Sequence, residues 1–223
     1  MIGREPMMTL GSNSHDELSL TDTVKPYASH FFACTGPIAW PARIEEGGGL
    51  LGRMARDARA AGECVDCAPK LTATDELSGG SGLDLLAFPI GVRYHAVDET
   101  SWPIILDDAV NGRRGPSAVP HTALSGTHVF VCTHGSRDDR CGRCGPPIVS
   151  ALRRACQDAD LDDVSVRATS HVGGHKFAGN VLIYPDGVWY GHVRPEHASR
   201  IAIEHIRDRT VISELLRGRM QSG

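Results

Sequence analysis

Cysteine and histidine are the residues of this chain whose types and spacing could do chemistry. A dense polar stretch, Cys132-Thr133-His134-Gly135-Ser136-Arg137-Asp138-Asp139-Arg140-Cys141-Gly142-Arg143-Cys144, is followed downstream by Ser170-His171-Val172-Gly173-Gly174-His175-Lys176. Two thiols, Cys132 and Cys141, and two imidazoles, His171 and His175, make a four-ligand set suited to metal or redox chemistry. Gly173 and Gly174 predict a loop rather than a helix face, so both imidazoles can converge on one point. Cys141 and Cys144 also form a C-x-x-C ahead of a predicted helix. A helix N-terminus there lowers the first thiol, so dithiol–disulfide exchange is a second chemistry. His134, between the cysteines, reads as an alternative ligand or as a donor to the ligands. Arg137, Arg140, Arg143 and Lys176 surround the stretch; positive charge there favours thiolates, and it reads either as a docking surface for an acidic protein partner or as a solvated rim. Cys64 and Cys67 form another C-x-x-C, without a partner pair nearby, and read as ordinary thiols.

The elements that must position these groups come from a repeat within the chain. His30-Phe31-Phe32-Ala33-Cys34-Thr35 resembles His128-Val129-Phe130-Val131-Cys132-Thr133. At nearly the same offset, Leu86-Ala87-Phe88-Pro89-Ile90-Gly91-Val92-Arg93-Tyr94 resembles Leu182-Ile183-Tyr184-Pro185-Asp186-Gly187-Val188-Trp189-Tyr190. Each copy reads as a strand (29–35; 127–133), a helix (41–61; 146–159), a strand (70–73; 164–168), a Pro/Gly hairpin joining two strands, and a closing helix (102–110; 195–207). The order β-α-β-β-β-α is that of a thioredoxin-like unit. The fold class is therefore α/β, with two tandem thioredoxin-like units. The divisions are a flexible tail over 1–20, a first unit over 21–112, a linker over 113–126 rich in Gly, Pro and Ser, and a second unit over 127–223. A short helix over 211–216 is expected as an extra element. In the first unit Arg43, Asp75 and Gly79 fall where the second has Cys141, His171 and His175. One site per chain is expected, with Cys34 and Cys156 as core residues and Trp189 and Tyr190 as strand packing.

The stretches VFVCTHGSRDDRCGRCGP, SHVGGHKFAGNVLIYPDG and WYGHVRPE resemble the sucrase/ferredoxin-like proteins. TVKPYASHFFACTGPIAWPARIE upstream and ELLRGRM downstream extend the resemblance over nearly the whole chain, with 61–82 the poorest match. The joint pattern C-x8-C and H-x3-H-K-x-A-G-N carries its specificity. The resemblance implies that the C-terminal unit is a thioredoxin-like ferredoxin binding one 2Fe–2S cluster. Cys132 and Cys141 would be its thiolate ligands, and His171 and His175 its imidazole ligands. Two thiolates leave such a cluster less negative than four do, so its potential should exceed that of four-cysteine ferredoxins. The far imidazole nitrogens can exchange protons, so electron transfer should be coupled to proton transfer. A Cys2His2 zinc site in a structural or assembly subunit is the competing metal reading.

Composition agrees with a globular carrier. The chain has 223 residues, 41% hydrophobic and 22% charged, which supports a packed core. A net charge of −4 argues against a nucleic-acid partner. No apolar run is long enough to span a membrane, and the N-terminus lacks a signal-peptide core. Seven cysteines, an odd number, argue for a reducing compartment rather than a disulfide scaffold. Cytoplasm is the first expectation and mitochondria the alternative. The expected role is one-electron transfer with a protein redox partner, with or without assembly into a larger complex. The chain need not be an enzyme: an electron carrier or a redox sensor is expected, and no paired-carboxylate motif points to sugar chemistry.

Overall fold

The computed structural model describes residues 20–62, 69–113 and 115–220. The expected tail up to residue 19, and Cys64 and Cys67, lie outside the described residues. The first unit runs β1 (Ser29–Cys34), α1 (Gly49–Ala61), β2 (Pro69–Thr74), β3 (Leu83–Phe88), β4 (Val92–Val97) and α2 (Trp102–Val110). The second repeats the order with β6 (Thr127–Cys132), α3 (Asp139–Asp158), β7 (Val164–Thr169), β8 (Val181–Tyr184), β9 (Val188–Tyr190) and α4 (Ala198–Arg200). A 3-10 turn, Pro195–His197, leads into α4, and π-helical winding, Ile201–Arg207, continues it. In each unit the first two strands are parallel and the hairpin pairs antiparallel to the first. Gly91 and Gly187 close the two hairpins, both at φ 63°.

Four expectations need correction. Residues 113–126 are more than a linker: β5 (His121–Ala123) pairs antiparallel with β4. Its three residues are exposed, so a polar edge strand carries no hydrophobic pattern to betray it. Residues 211–216 hold only one 3-10 turn, Ser213–Leu215, and β10 (Leu216–Arg219) then pairs with the open edge of β9. Helix α1 begins only at Gly49, because Gly47 and Gly48 favour extended backbone over the helix. Helix α3 begins at Asp139, not at the prolines, because the Asp138 carboxylate accepts the Arg140 amide at 3.1 Å and caps it.

The ten strands form one sheet in the order β10-β9-β8-β6-β7-β2-β1-β3-β4-β5. The two units meet in it at a single residue pair, Thr74 and Thr169. Strand alternation then sorts the side chains. Phe31 and Ala33 of β1 face α1 and α2, while Val129 and Val131 of β6 face α3 and the C-terminal helical segment. Phe32 and Cys34, with Phe130 and Cys132, point the other way into one core shared by both units. There Phe32 stacks on Phe130, ring centroids 3.6 Å apart, and Phe88 on Tyr184 at 4.3 Å. The fully buried His30 reaches Tyr184 Oη at 2.9 Å and Thr72 Oγ1 at 3.1 Å.

Several interior histidines are held neutral. Burial drives His30 well below the ordinary imidazole range, lowers His128 to about 4 and lowers His205. Their pKa values are lower folded than unfolded, so acid favours the unfolded chain. Stability is therefore complete above about pH 6.5 and falls as pH drops, for His128 by about 1.4 kcal/mol per pH unit down to about 4, with His30 and His205 acting in the same direction. Urea titrations of metal-free protein between pH 7 and 4.5 should show that decline. A flat profile would mean that these rings are not buried neutral.

Candidate metal centre

Cys132 is the last residue of β6, and alternation turns it into the shared core. The chain then reverses through His134–Asp138, where the Arg137 and Asp138 amides both donate to the His134 carbonyl, at 3.2 and 3.1 Å. Helix α3 starts at once, so Cys141 lies in its first turn rather than in a loop, fully buried. Gly145 permits this approach: a Cβ added there would overlap the Cys132 carbonyl oxygen and the Thr133 backbone. The helix can sit against the strand end only because that position has no side chain.

The second ligand segment leaves β7 and is fastened to the first unit. The Ser170 amide donates to the Ala73 carbonyl at 2.8 Å, and the Ala73 amide donates to Ser170 Oγ at 2.9 Å. The His171 amide donates to His134 Nδ1 at 3.0 Å. With that nitrogen an acceptor, Nε2 carries the proton and donates to the Trp40 carbonyl at 3.3 Å. Both His134 nitrogens are thus engaged, so His134 positions His171 instead of serving as a ligand. Gly173 and Gly174 take left-handed backbone, φ 95° and 70°, and the Asn180 side-chain amide donates to the Gly174 carbonyl at 3.2 Å.

These anchors bring Cys132, Cys141 and His171 together, with one ligand atom from each lying within 4.8 Å of the others. Hydrogen bonding from the Cys141 thiol lowers Cys132 well below a free thiol, helped by His171 and the His134 and Val172 amides, against the effect of burial. The same hydrogen bond, and burial, push Cys141 up. His171 Nδ1 is buried and has no hydrogen-bond partner. A buried polar atom without a partner is costly, and a metal beside two sulfurs would satisfy it. The donors present therefore fit a thiophilic metal or an iron–sulfur centre.

His175 stands beside this group, not within it. Its ring stacks near that of His171, centroids 5.8 Å apart, its side chain is 53% exposed, and its Nδ1 lies 4.0 Å from the Asp138 carboxylate. Cys144 is exposed and is not among the converging ligand atoms. The cationic rim is weaker than its composition implies: Arg140 pairs with Asp138 and Arg143 with Asp139, both at 2.9 Å. Arg137 and Lys176 are the rim cations without an ion pair among the described residues. Trp40, Ser170, Asn180 and Gly145 escape a reading by residue type because none is a usual ligand of a thiophilic metal. Ser170 and Asn180 do lie inside the histidine motif.

Gly145→Ala should push α3 off the strand end and weaken metal binding roughly tenfold or more. Titrating metal-free protein with Co2+, whose thiolate absorption reports binding, measures this. An unchanged affinity would show that the close approach is not needed.

The Sucrase/ferredoxin-like family pattern matches residues 20–218. Among curated relatives, "Altered inheritance of mitochondria protein 32" of Debaryomyces hansenii is 40% identical over 95 residues, 40% of this chain and 34% of that protein. The protein of the same name from Candida glabrata is 30% identical over 162 residues, 68% of this chain and 45% of that protein. The chain thus spans less than half the length of these relatives. Among solved structures, a thioredoxin-like [2Fe-2S] ferredoxin from Aquifex aeolicus aligns with 44% of this chain and 96% of its own, at 23% identity and a TM-score of 0.40. On the family match, which takes in both units and both ligand segments, the chain belongs to the sucrase/ferredoxin-like family.

Proposed function

We propose that this chain is a one-electron carrier whose C-terminal unit, a thioredoxin-like ferredoxin, holds one 2Fe–2S cluster through Cys132, Cys141, His171 and His175. The observation that carries this reading is the convergence of two buried sulfurs with an imidazole whose inner nitrogen lacks any hydrogen-bond partner. When bound, the cluster supplies a site that takes up and releases one electron without rearranging covalent bonds in the protein. The chain's own residues hold, orient and shield that site. The His134 and Val172 amides favour Cys132 as a thiolate. His134 and Trp40 set the His171 backbone. The shared aromatic core keeps water from the sulfur side. His175 is the solvent-facing member of the set, where a proton and a redox partner can approach.

The dithiol reading has less support. Cys141 would be the attacking thiol of a C-x-x-C, yet it is buried and its pKa is raised, the reverse of an activated thiolate. A protein redox partner belongs to this proposal, met at the exposed face around His175, Lys176 and Arg137, as does membership of a larger complex. The word mitochondria in the relatives' name favours a mitochondrial setting over a cytoplasmic one. Among the described residues no helix is long and apolar enough to cross a membrane.

Anaerobic purification tests the reading. The protein should be brown, with iron and acid-labile sulfide in equal amounts and an EPR signal after dithionite reduction. Cys132→Ser and Cys141→Ser should lose the cluster. His171→Cys and His175→Cys should keep it at a lower potential, because each adds a thiolate charge. A colourless protein loaded with zinc would overturn the proposal.

A further inference from the structure

Two cations lie beside the ligand segments, Arg217 buried and Lys70 half-buried, and neither forms an ion pair among the described residues. Arg217 is 2% exposed. Its hydrogen bonds all go to neutral acceptors: Nη1 donates to Asn180 Oδ1 at 2.6 Å, Nε to Thr23 Oγ1 at 3.1 Å and Nη2 to the Thr23 carbonyl at 3.2 Å. Its guanidinium lies 4.6 Å from the Phe177 ring centroid and 5.7 Å from that of Trp189. The Lys70 ammonium lies against the same Trp189 ring at 5.8 Å and against Tyr27 at 5.1 Å. Burial lowers Arg217 to about 10 and lowers Lys70, with Lys25 and Arg217 adding repulsion. Hydrogen bonds and aromatic faces soften the loss of water around these charges, but they supply no counter-charge.

Both cations border the metal centre. A Cβ added to Gly174, between His171 and His175, would overlap the Arg217 guanidinium. Asn180, which accepts from Arg217, also donates to the Gly174 carbonyl, and its own carbonyl accepts the Cys132 amide at 3.0 Å. Lys70 lines the same cavity, about 260 Å3, as His134 and His171. The one carboxylate in that lining, Glu45, pairs with Arg59 at 2.8 Å.

We propose that Arg217 and Lys70 are counter-charges of the metal centre and bias it toward its reduced state. The inference rests on the cluster reading above. One electron, supplied in the test by dithionite through mediator dyes, makes the loaded centre one charge more negative. Fixed cations beside it in a poorly solvated interior lower the free energy of that state more than of the oxidised one. Neither side chain touches a ligand atom. Lys70 acts only through its field, and Arg217 also braces the loop at Gly174.

The test uses the full chain with Arg217→Gln, Arg217→Lys and Lys70→Gln, reading midpoint potential and iron per chain, with a thermal melt to check folding. Both glutamine variants should reduce at lower potential, with the reduction equilibrium falling roughly tenfold for Arg217→Gln. Arg217→Lys keeps the charge and should stay closer to the wild type. An iron-loaded Arg217→Gln at the wild-type potential would overturn the proposal. Should that variant fail to fold, iron-loaded Lys70→Gln decides the matter in the same way. A wild type without iron sinks the cluster reading instead, and shows itself before any variant is made.

Discussion

Alternation along β1 and β6 decides what the rest of the molecule must do. Every second side chain of each strand faces its own helices, and the others meet across the molecule in one aromatic core. The stack of Phe32 on Phe130 lies at the centre of that core, and Cys34 and Cys132 sit at corresponding ends of the two strands. The single pair between β2 and β7 leaves the halves free to turn these faces together. Packing the inner strand faces of the two units against each other keeps the second unit's sulfurs dry. The first unit supplies part of that cover through Tyr27, Phe32, Leu86 and Phe88.

The same packing explains why a unit without ligands matters to the site. Ala73 holds Ser170, and Trp40 holds His134, which in turn holds the His171 amide. The start of the chain contributes as well, since Thr23 accepts from Arg217 beneath the ligand loop. Metal ligands placed on a glycine-rich loop need outside anchors, because glycine alone leaves the loop many conformations. Here the anchors come from residues far away in the chain. In the first unit the corresponding region is filled by charge pairing instead: Arg93 binds Asp84 and Glu76, and Arg167 of the second unit also reaches Glu76.

The duplicated units, their strands and their Pro/Gly hairpins were legible in the sequence because each is a local pattern. Buried strands such as Thr127–Cys132 announce themselves by apolar runs, and the hairpins by proline and glycine. Strands β5 and β10 were not legible. They are short edges that exist only because β4 and β9 offer unpaired backbone. The start of α3 was hidden because two prolines look like a beginning, whereas the Asp138 side chain caps the helix earlier. This moved Cys141 from a loop onto a helix.

Residue type and spacing alone determined that two thiols and two imidazoles belong to one unit, and that the other copy lacks them. Both are facts of local order along the chain. Only the tertiary structure decided that Cys132, Cys141 and His171 converge while His175 stays at the solvent edge. It also turned His134 from a possible ligand into a brace, and placed Arg217 and Lys70 beside the site. The reason is physical. A side chain's chemistry is its own, but its burial, its hydrogen-bond partners and the field around it come from segments that meet only when the two units pack.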